Sequence, residues 1–161
     1  MQDGATFHEL RRIYWDKTFR ALSSDRVADR YMRFEKVETW TSMISEGPAV
    51  VAEGESVLGV GMLVPCYLDR VDLVDGVPHH PRDPSRWELL VYVTPNRQRR
   101  GTGNLITGWL EDRARTSGAK SVSIDVDEHS AAFFEKRGYV RDQAEAGELG
   151  GVPMVCLDLA L

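Results

Sequence analysis

Between Glu88 and Val126 the chain runs strand, basic glycine turn, helix and strand again, and no other stretch restricts the fold so strongly. Glu88-Leu89-Leu90-Val91-Tyr92-Val93 reads as a strand closed by Thr94-Pro95. A helix begins near Gly103, because Leu105, Ile106, Trp109, Leu110 and Ala114 fall on one face. Ser121-Val122-Ser123-Ile124-Asp125-Val126 is the next strand. A return to a strand after a helix predicts a parallel pair joined by a right-handed crossover.

The flanking segments add to that unit. Phe7, Leu10, Ile13, Tyr14, Phe19 and Leu22 recur at helical spacing. A second helical stripe runs from about Arg26 to Ile44 (Val27, Tyr31, Phe34, Val37, Trp40) and ends before Gly47-Pro48. Residues 49–53 and 57–64 flank a glycine-containing turn and predict a β-hairpin. Gly59 and Gly61 in its second strand suit a backbone that something else approaches closely. From about Tyr67 to Arg86 there is no periodicity, and the segment reads as a long loop carrying His79-His80. A short helix from about Ser130 to Arg137 is closed by Gly138 as a left-handed C-cap. Two strands, about 139–144 and 153–159, finish the chain.

At 161 residues the chain has room for one domain. The net charge of −5 argues against nucleic acid and anionic membranes as partners, since both select basic surfaces. No apolar run approaches the ~20 residues of a membrane span, and Met1-Gln2-Asp3-Gly4 does not open a signal peptide, so the expectation is a cytoplasmic protein. Cys66 and Cys156 stand far apart without CxxC spacing, which argues against a zinc knuckle or a disulfide framework.

The chemistry concentrates in Val93-Thr94-Pro95-Asn96-Arg97-Gln98-Arg99-Arg100-Gly101-Thr102-Gly103. Glycines let backbone N–H groups approach an anion with no Cβ in the way, and the helix N-terminus adds roughly half a positive charge. Alone, the pattern equally describes a solvated basic turn. Ile106 stands where a dinucleotide-binding GxGxxG needs Gly or Ala, and a Walker A loop lacks its Gly-Lys-Ser/Thr.

Gln98-Arg99-Arg100-Gly101-Thr102-Gly103 resembles the Q/R-x-x-G-x-G/A signature of the GNAT acetyltransferases. Val91-Tyr92-Val93-Thr94-Pro95 resembles the strand before that signature, and Phe133-Phe134-Glu135-Lys136-Arg137-Gly138-Tyr139 the family's late helix-and-strand segment. The likeness covers about residues 49–159 and departs in three places. Phe7 is already helical where the family usually starts with a strand, Asp127 replaces a common Asn, and Phe134 stands where a Tyr is the usual general acid.

The resemblance implies an α/β fold (α+β in some schemes) with a mixed, mostly antiparallel twisted sheet, one parallel splayed strand pair and about four helices. It implies a single domain over 1–161, with helices in 1–47 shaping the substrate side and the sheet and cofactor core in 49–159. Acetyl-CoA is the implied cosubstrate, held by Val91, Val93, Gln98, Arg99, Arg100, Gly101, Thr102, Gly103, Asp127 and Phe134, with no metal. The implied reaction is direct acetyl transfer to a primary amine, small molecule or peptide, in a ternary complex. An oxyanion donor would come from a backbone N–H near Val93.

An alkylammonium with a pKa of about 10.4 is neutral in roughly one molecule in 2,500 at pH 7, so a base is needed. Glu88, at the start of the strand that in the resembled family borders the acetyl group, is the leading candidate; Asp125, Asp127, His79, His80 and His129 are lesser ones. Tyr139 or Tyr92 would replace the missing acid, although thiolate leaves readily without one. Tyr14, Trp15, Tyr31 and Trp40 are available to line a substrate pocket, and the acidic loop residues Asp69, Asp72, Asp75 and Asp83 would steer a cationic amine. Homodimers are common in the family, and the late strands offer edges for one. Two rivals stand beside the enzyme: a catalytically silent CoA-binding module of the same fold, and a small α/β domain whose basic turn binds sulfate or a phosphopeptide.

Overall fold

A computed structural model of the protein describes residues 3–14, 36–68, 72–74, 77–149 and 152–161. Helices α1 (Asp3–Tyr14) and α2 (Val37–Glu46) precede the hairpin β1 (Ala49–Glu53) and β2 (Val57–Tyr67). A small hairpin, β3 (Asp72–Val74) and β4 (Val77–His79), leads to β5 (Arg82–Val93). Then come α3 (Thr102–Thr116), β6 (Ser121–Asp127), α4 (Glu128–Glu135), β7 (Val140–Leu149) and β8 (Val152–Ala160).

The main sheet has six strands in the order β1-β2-β5-β6-β8-β7. Every neighbouring pair in it is antiparallel except β5–β6, the parallel pair that the strand-helix-strand unit predicts. Strand alternation divides the apolar side chains between two faces. Val60, Met62, Leu90 and Tyr92 meet Phe7, Leu10 and Trp40 of α1 and α2. Leu63 and Leu89, one residue out of phase, meet Ile106 and Leu110 of α3 on the opposite face, where Phe134 and Leu157 extend the cluster.

The partner that Gly59 and Gly61 await is α3. A Cβ on Gly59 would stand 2.9 Å from Ile106 Cδ1, and one on Gly61 2.7 Å from Leu110 Cδ1, closer than carbon atoms pack. A second tie joins α3 to the end of α4. Arg137 donates from Nη2 to Glu111 Oε2 at 2.6 Å, from Nε to Oε1 at 3.2 Å and from Nη1 to Asn104 Oδ1 at 2.9 Å. Glu111 is only 6% exposed, so its charge needs these donors. Gly138, at φ 97°, closes this turn as expected, and the Tyr139 N–H reaches back to the Phe134 carbonyl at 3.1 Å.

The segment expected as a loop over 67–86 is largely strand. β5 starts at Arg82 rather than Glu88, and its early part pairs with the far end of β2 through Tyr67↔Arg82 and Pro65↔Trp87 across a register shift. Arg82, Asp83, Ser85 and Arg86 read as loop because they are polar, but backbone pairing with β2 decides their conformation. Of the two N-terminal helical stripes, the described parts are α1 and α2. Trp15 and Tyr31, expected to line a pocket, lie outside the described residues, as do Asp69 and Asp75. Among the described residues no helix is long and apolar enough to cross a membrane.

Candidate active site

β5 and β6 are in register only from Arg86↔Ser121 to Glu88↔Ser123. Past Glu88, β5 stays paired with β2 to Val93 and β6 stays paired with β8 to Asp127, so the two strands diverge. The Thr94 N–H bonds to Leu58 of β2, whereas the Ser85 carbonyl accepts from Lys120, just before β6. Successive residues of a strand alternate sides, so the backbone groups of Leu89, Val91 and Val93 face the opening rather than β2. A cavity of about 200 Å³ occupies it.

Glu88 stands where the divergence begins and lines this cavity with Val91, Tyr92, Asp125 and Asp127. Burial pushes its carboxyl above the ordinary carboxylate range, the negative Asp125 adds to that rise, and Arg86 opposes it. A buried carboxyl held in this way is a stronger base than a solvated one.

Tyr14, at the end of α1, donates its hydroxyl to Asp127 Oδ2 at 2.7 Å. Asp127 also caps α4, accepting from the Ser130 N–H at 3.0 Å and the Ser130 hydroxyl at 2.8 Å. Burial alone would raise the Asp127 carboxyl, but its donors outweigh burial and hold it below the usual range. Burial and this carboxylate in turn push the Tyr14 hydroxyl up. Tyr92 is also pushed up by burial, with its oxygen accepting from Arg11 Nε at 3.1 Å.

At the far end of the opening, Pro95–Arg97 form a 3₁₀ turn, and two left-handed residues, Arg99 (φ 60°) and Gly101 (φ 88°), lead into α3. The Leu105 N–H takes the Gly101 carbonyl at 3.0 Å, and the preceding amides have no partner within the helix. A Cβ on Gly101 would meet nothing within 4 Å, so the space beside this helix end is open. Gln98, Arg99 and Arg100 are exposed, and none of Arg97, Arg99 and Arg100 pairs with a carboxylate among the described residues. Thr102 is buried, and a Cβ on Gly103 would touch Val93 Cγ2 at 3.7 Å, which places the turn directly beyond the strand edge. The donor set suits an extended phosphate-bearing ligand lying along β5 with its anionic end on α3.

Two expected residues fall elsewhere. Tyr139 is 3% exposed in the core on the α3 face, donating its hydroxyl to Glu111 at 3.2 Å, so it does not face the opening as an acid would. Phe134 is also closed into that core, edge-on to Tyr139 at 5.3 Å; the ring beside the glycine turn is Phe133, 3.5 Å from a Cβ placed on Gly103. His80 and His129 are exposed, and His79 ends β4. Arg11 of α1 also lines the opening, outside the sequence-based expectations. Its signal was helical spacing, since Phe7, Arg11 and Tyr14 fall on one face and a basic residue on an apolar stripe asks for a partner.

A mixed sheet with one parallel pair that opens by divergence, and a glycine-led helix at the end of the opening, defines an α/β fold with a cleft between two parallel strands. The sequence matches the acetyltransferase (GNAT) family over residues 7–139, and the chain belongs to that family. Among solved structures it is similar to a GCN5-related N-acetyltransferase from Rhodopseudomonas palustris (TM-score 0.74, 18% identity, 99% of this chain and 91% of that one). It is similar to the PaiA N-acetyltransferase of Thermoplasma acidophilum, solved in complex with coenzyme A (TM-score 0.74, 14% identity, 99% and 94%). It is also similar to yncA, a putative acetyltransferase of Salmonella typhimurium solved with acetyl-CoA (TM-score 0.63, 20% identity, 99% and 88%). No curated protein matches the chain.

Proposed function

We propose that the protein transfers an acetyl group from acetyl-CoA to a primary amine by direct attack, with Glu88 as the base. The observation that carries this is the placement of Glu88 at the closed end of the diverging β5–β6 pair, with the Gln98–Gly103 turn at the open end. The turn amides, Arg99 and Arg100 would hold the pyrophosphate, and the backbone edge at Val91 and Val93 would align the arm that carries the thioester. The cosubstrate supplies an activated acyl carbon with a good leaving group.

Glu88 accepts one proton from the ammonium, and the neutral nitrogen attacks the thioester carbon. A Val91 or Val93 N–H facing the opening is suited to stabilise the oxyanion. The C–S bond breaks, and the proton lost from nitrogen ends on the thiolate, giving the amide and free CoA thiol. With Phe134 lacking a hydroxyl and Tyr139 in the core, that second proton is relayed from nitrogen to sulfur by solvent or by a cavity hydroxyl such as Tyr92.

The same absence favours a second reading, a CoA-binding module without catalysis. Both are tested by titrating CoA in a calorimeter and following thiol release from acetyl-CoA with a panel of primary amines. CoA binding with amine-dependent thiol release supports the enzyme; binding without release supports the silent module. No binding of either CoA species removes both.

A further inference from the structure

Arg137 stands just past the end of α4 and reaches across to α3, where Asn104, Gly108 and Glu111 follow one another at helical spacing on one face. Its Nε and Nη2 grip the Glu111 carboxylate, and its Nη1 donates to Asn104 Oδ1 at 2.9 Å. Between those two partners the helix is bare. A Cβ on Gly108 would lie 3.6 Å from Nη2, so the guanidinium runs close along the α3 backbone.

The two ends of this clasp differ. Glu111 is buried and accepts a further hydrogen bond from the Tyr139 hydroxyl, so loss of its donors would strand a charge in the core. Asn104 is exposed and stands in the first turn of α3, beside Gly103. A surface contact of that kind contributes little to folding. Its consequence is local, because helix ends fray and this one is tied down next to the Thr102 and Gly103 amides that have no partner within the helix. The same guanidinium lies 5.9 Å from the centre of the Phe133 ring, and that ring stands 3.5 Å from a Cβ placed on Gly103. Arg137 thus reaches the start of α3 by two routes.

The geometry points to Arg137 as a positioning residue for the cosubstrate: by holding Asn104 and Phe133 it fixes the Thr102 and Gly103 amides where they receive the pyrophosphate. The inference rests on the acetyltransferase reading and adds to it a residue that acts through its neighbours. Donors already fixed in place bind an anion without first being ordered, which a frayed helix start would require.

The test separates the two ends of the clasp. Asn104→Ala removes the exposed contact alone, and Arg137→Lys keeps a cation beside Glu111 without the fork that spans both partners. Each is checked for a melting transition near that of the parent. Each is then expected to raise the Kd for CoA, read by calorimetry, and the KM for acetyl-CoA by about three- to tenfold, with kcat and the KM for the amine changed by less than about twofold. In the double variant the two effects should not multiply, since both act through one hydrogen bond. A parental Kd in Asn104→Ala, or effects that multiply in the double variant, would overturn the inference and leave acetyl transfer standing. Equal rises in both KM values with a fall in melting temperature would also overturn it, as a general loosening of the fold. The Kd decides the positioning role even in protein that binds CoA and releases no thiol. Absence of CoA binding in the parent itself would overturn the proposed function and this inference with it.

Discussion

Glu88 and Asp127 line one cavity, yet their surroundings push them in opposite directions. Glu88 has a raised folded pKa, so its contribution to stability is present below the unfolded carboxylate value and is lost as pH rises through the folded value. Glu88→Gln is therefore expected to raise the melting temperature at pH 7.5, with the gain fading as pH falls through the raised folded value and gone below the ordinary carboxylate range. The same substitution should lower kcat/KM by about 10²–10⁴-fold and remove the acidic limb of its pH profile. An unchanged rate would exclude Glu88 as the base. Asp127 has a depressed folded pKa, so its contribution is present above the unfolded value and lost as pH falls through the folded one. Asp127→Ala removes the cap of α4 and leaves the Tyr14 hydroxyl without its acceptor, at an expected cost of ~2 kcal/mol at neutral pH in a denaturant titration. That deficit should shrink in acid.

At the scale of elements, the distance between α3 and β2 is set by two glycines, because any Cβ there meets Ile106 or Leu110. Gly61→Val is expected to cost ~1–3 kcal/mol in denaturant unfolding, as overpacked cores do. It should also weaken CoA binding, because α3 carries the glycine turn with it. The turn itself can be tested without touching the core: Arg99 and Arg100 are exposed, and replacing both with Ala should leave the melting temperature near that of the parent. Their loss should raise the Kd for CoA by about tenfold and flatten its dependence on salt. Equal salt dependence in parent and variant would show that these side chains do not meet the phosphates.

Across the whole molecule, the two cavities meet at Glu88, Arg11, Leu90 and Tyr92, so α1 helps to build both. Tyr14 carries that coupling to α4 through Asp127. Under the proposed function CoA binds the folded state, so the protein is expected to gain ~2.7 kcal/mol at about 100 times the dissociation constant, read as an upward shift in melting temperature. Sulfate at matched ionic strength should give a smaller shift, since it reaches only the helix end.

The strand-helix-strand unit from Glu88 to Val126, the glycine turn and the hairpin of β1 and β2 were legible in the sequence, because each is written in local periodicity and turn chemistry. Gly59 and Gly61 even announced a close neighbour. Glu88 was legible as a candidate base through its place at a strand start and the family likeness. Tertiary structure alone decided that residues 82–86, without periodicity of their own, form strand, because pairing with β2 is non-local. It placed Tyr139 and Phe134 in the core rather than at the opening, since which side a ring turns depends on the helix packed over it. It also brought Arg11 of α1 and Glu88 of β5 to the wall of one cavity, a juxtaposition of residues far apart in the chain that no local pattern encodes.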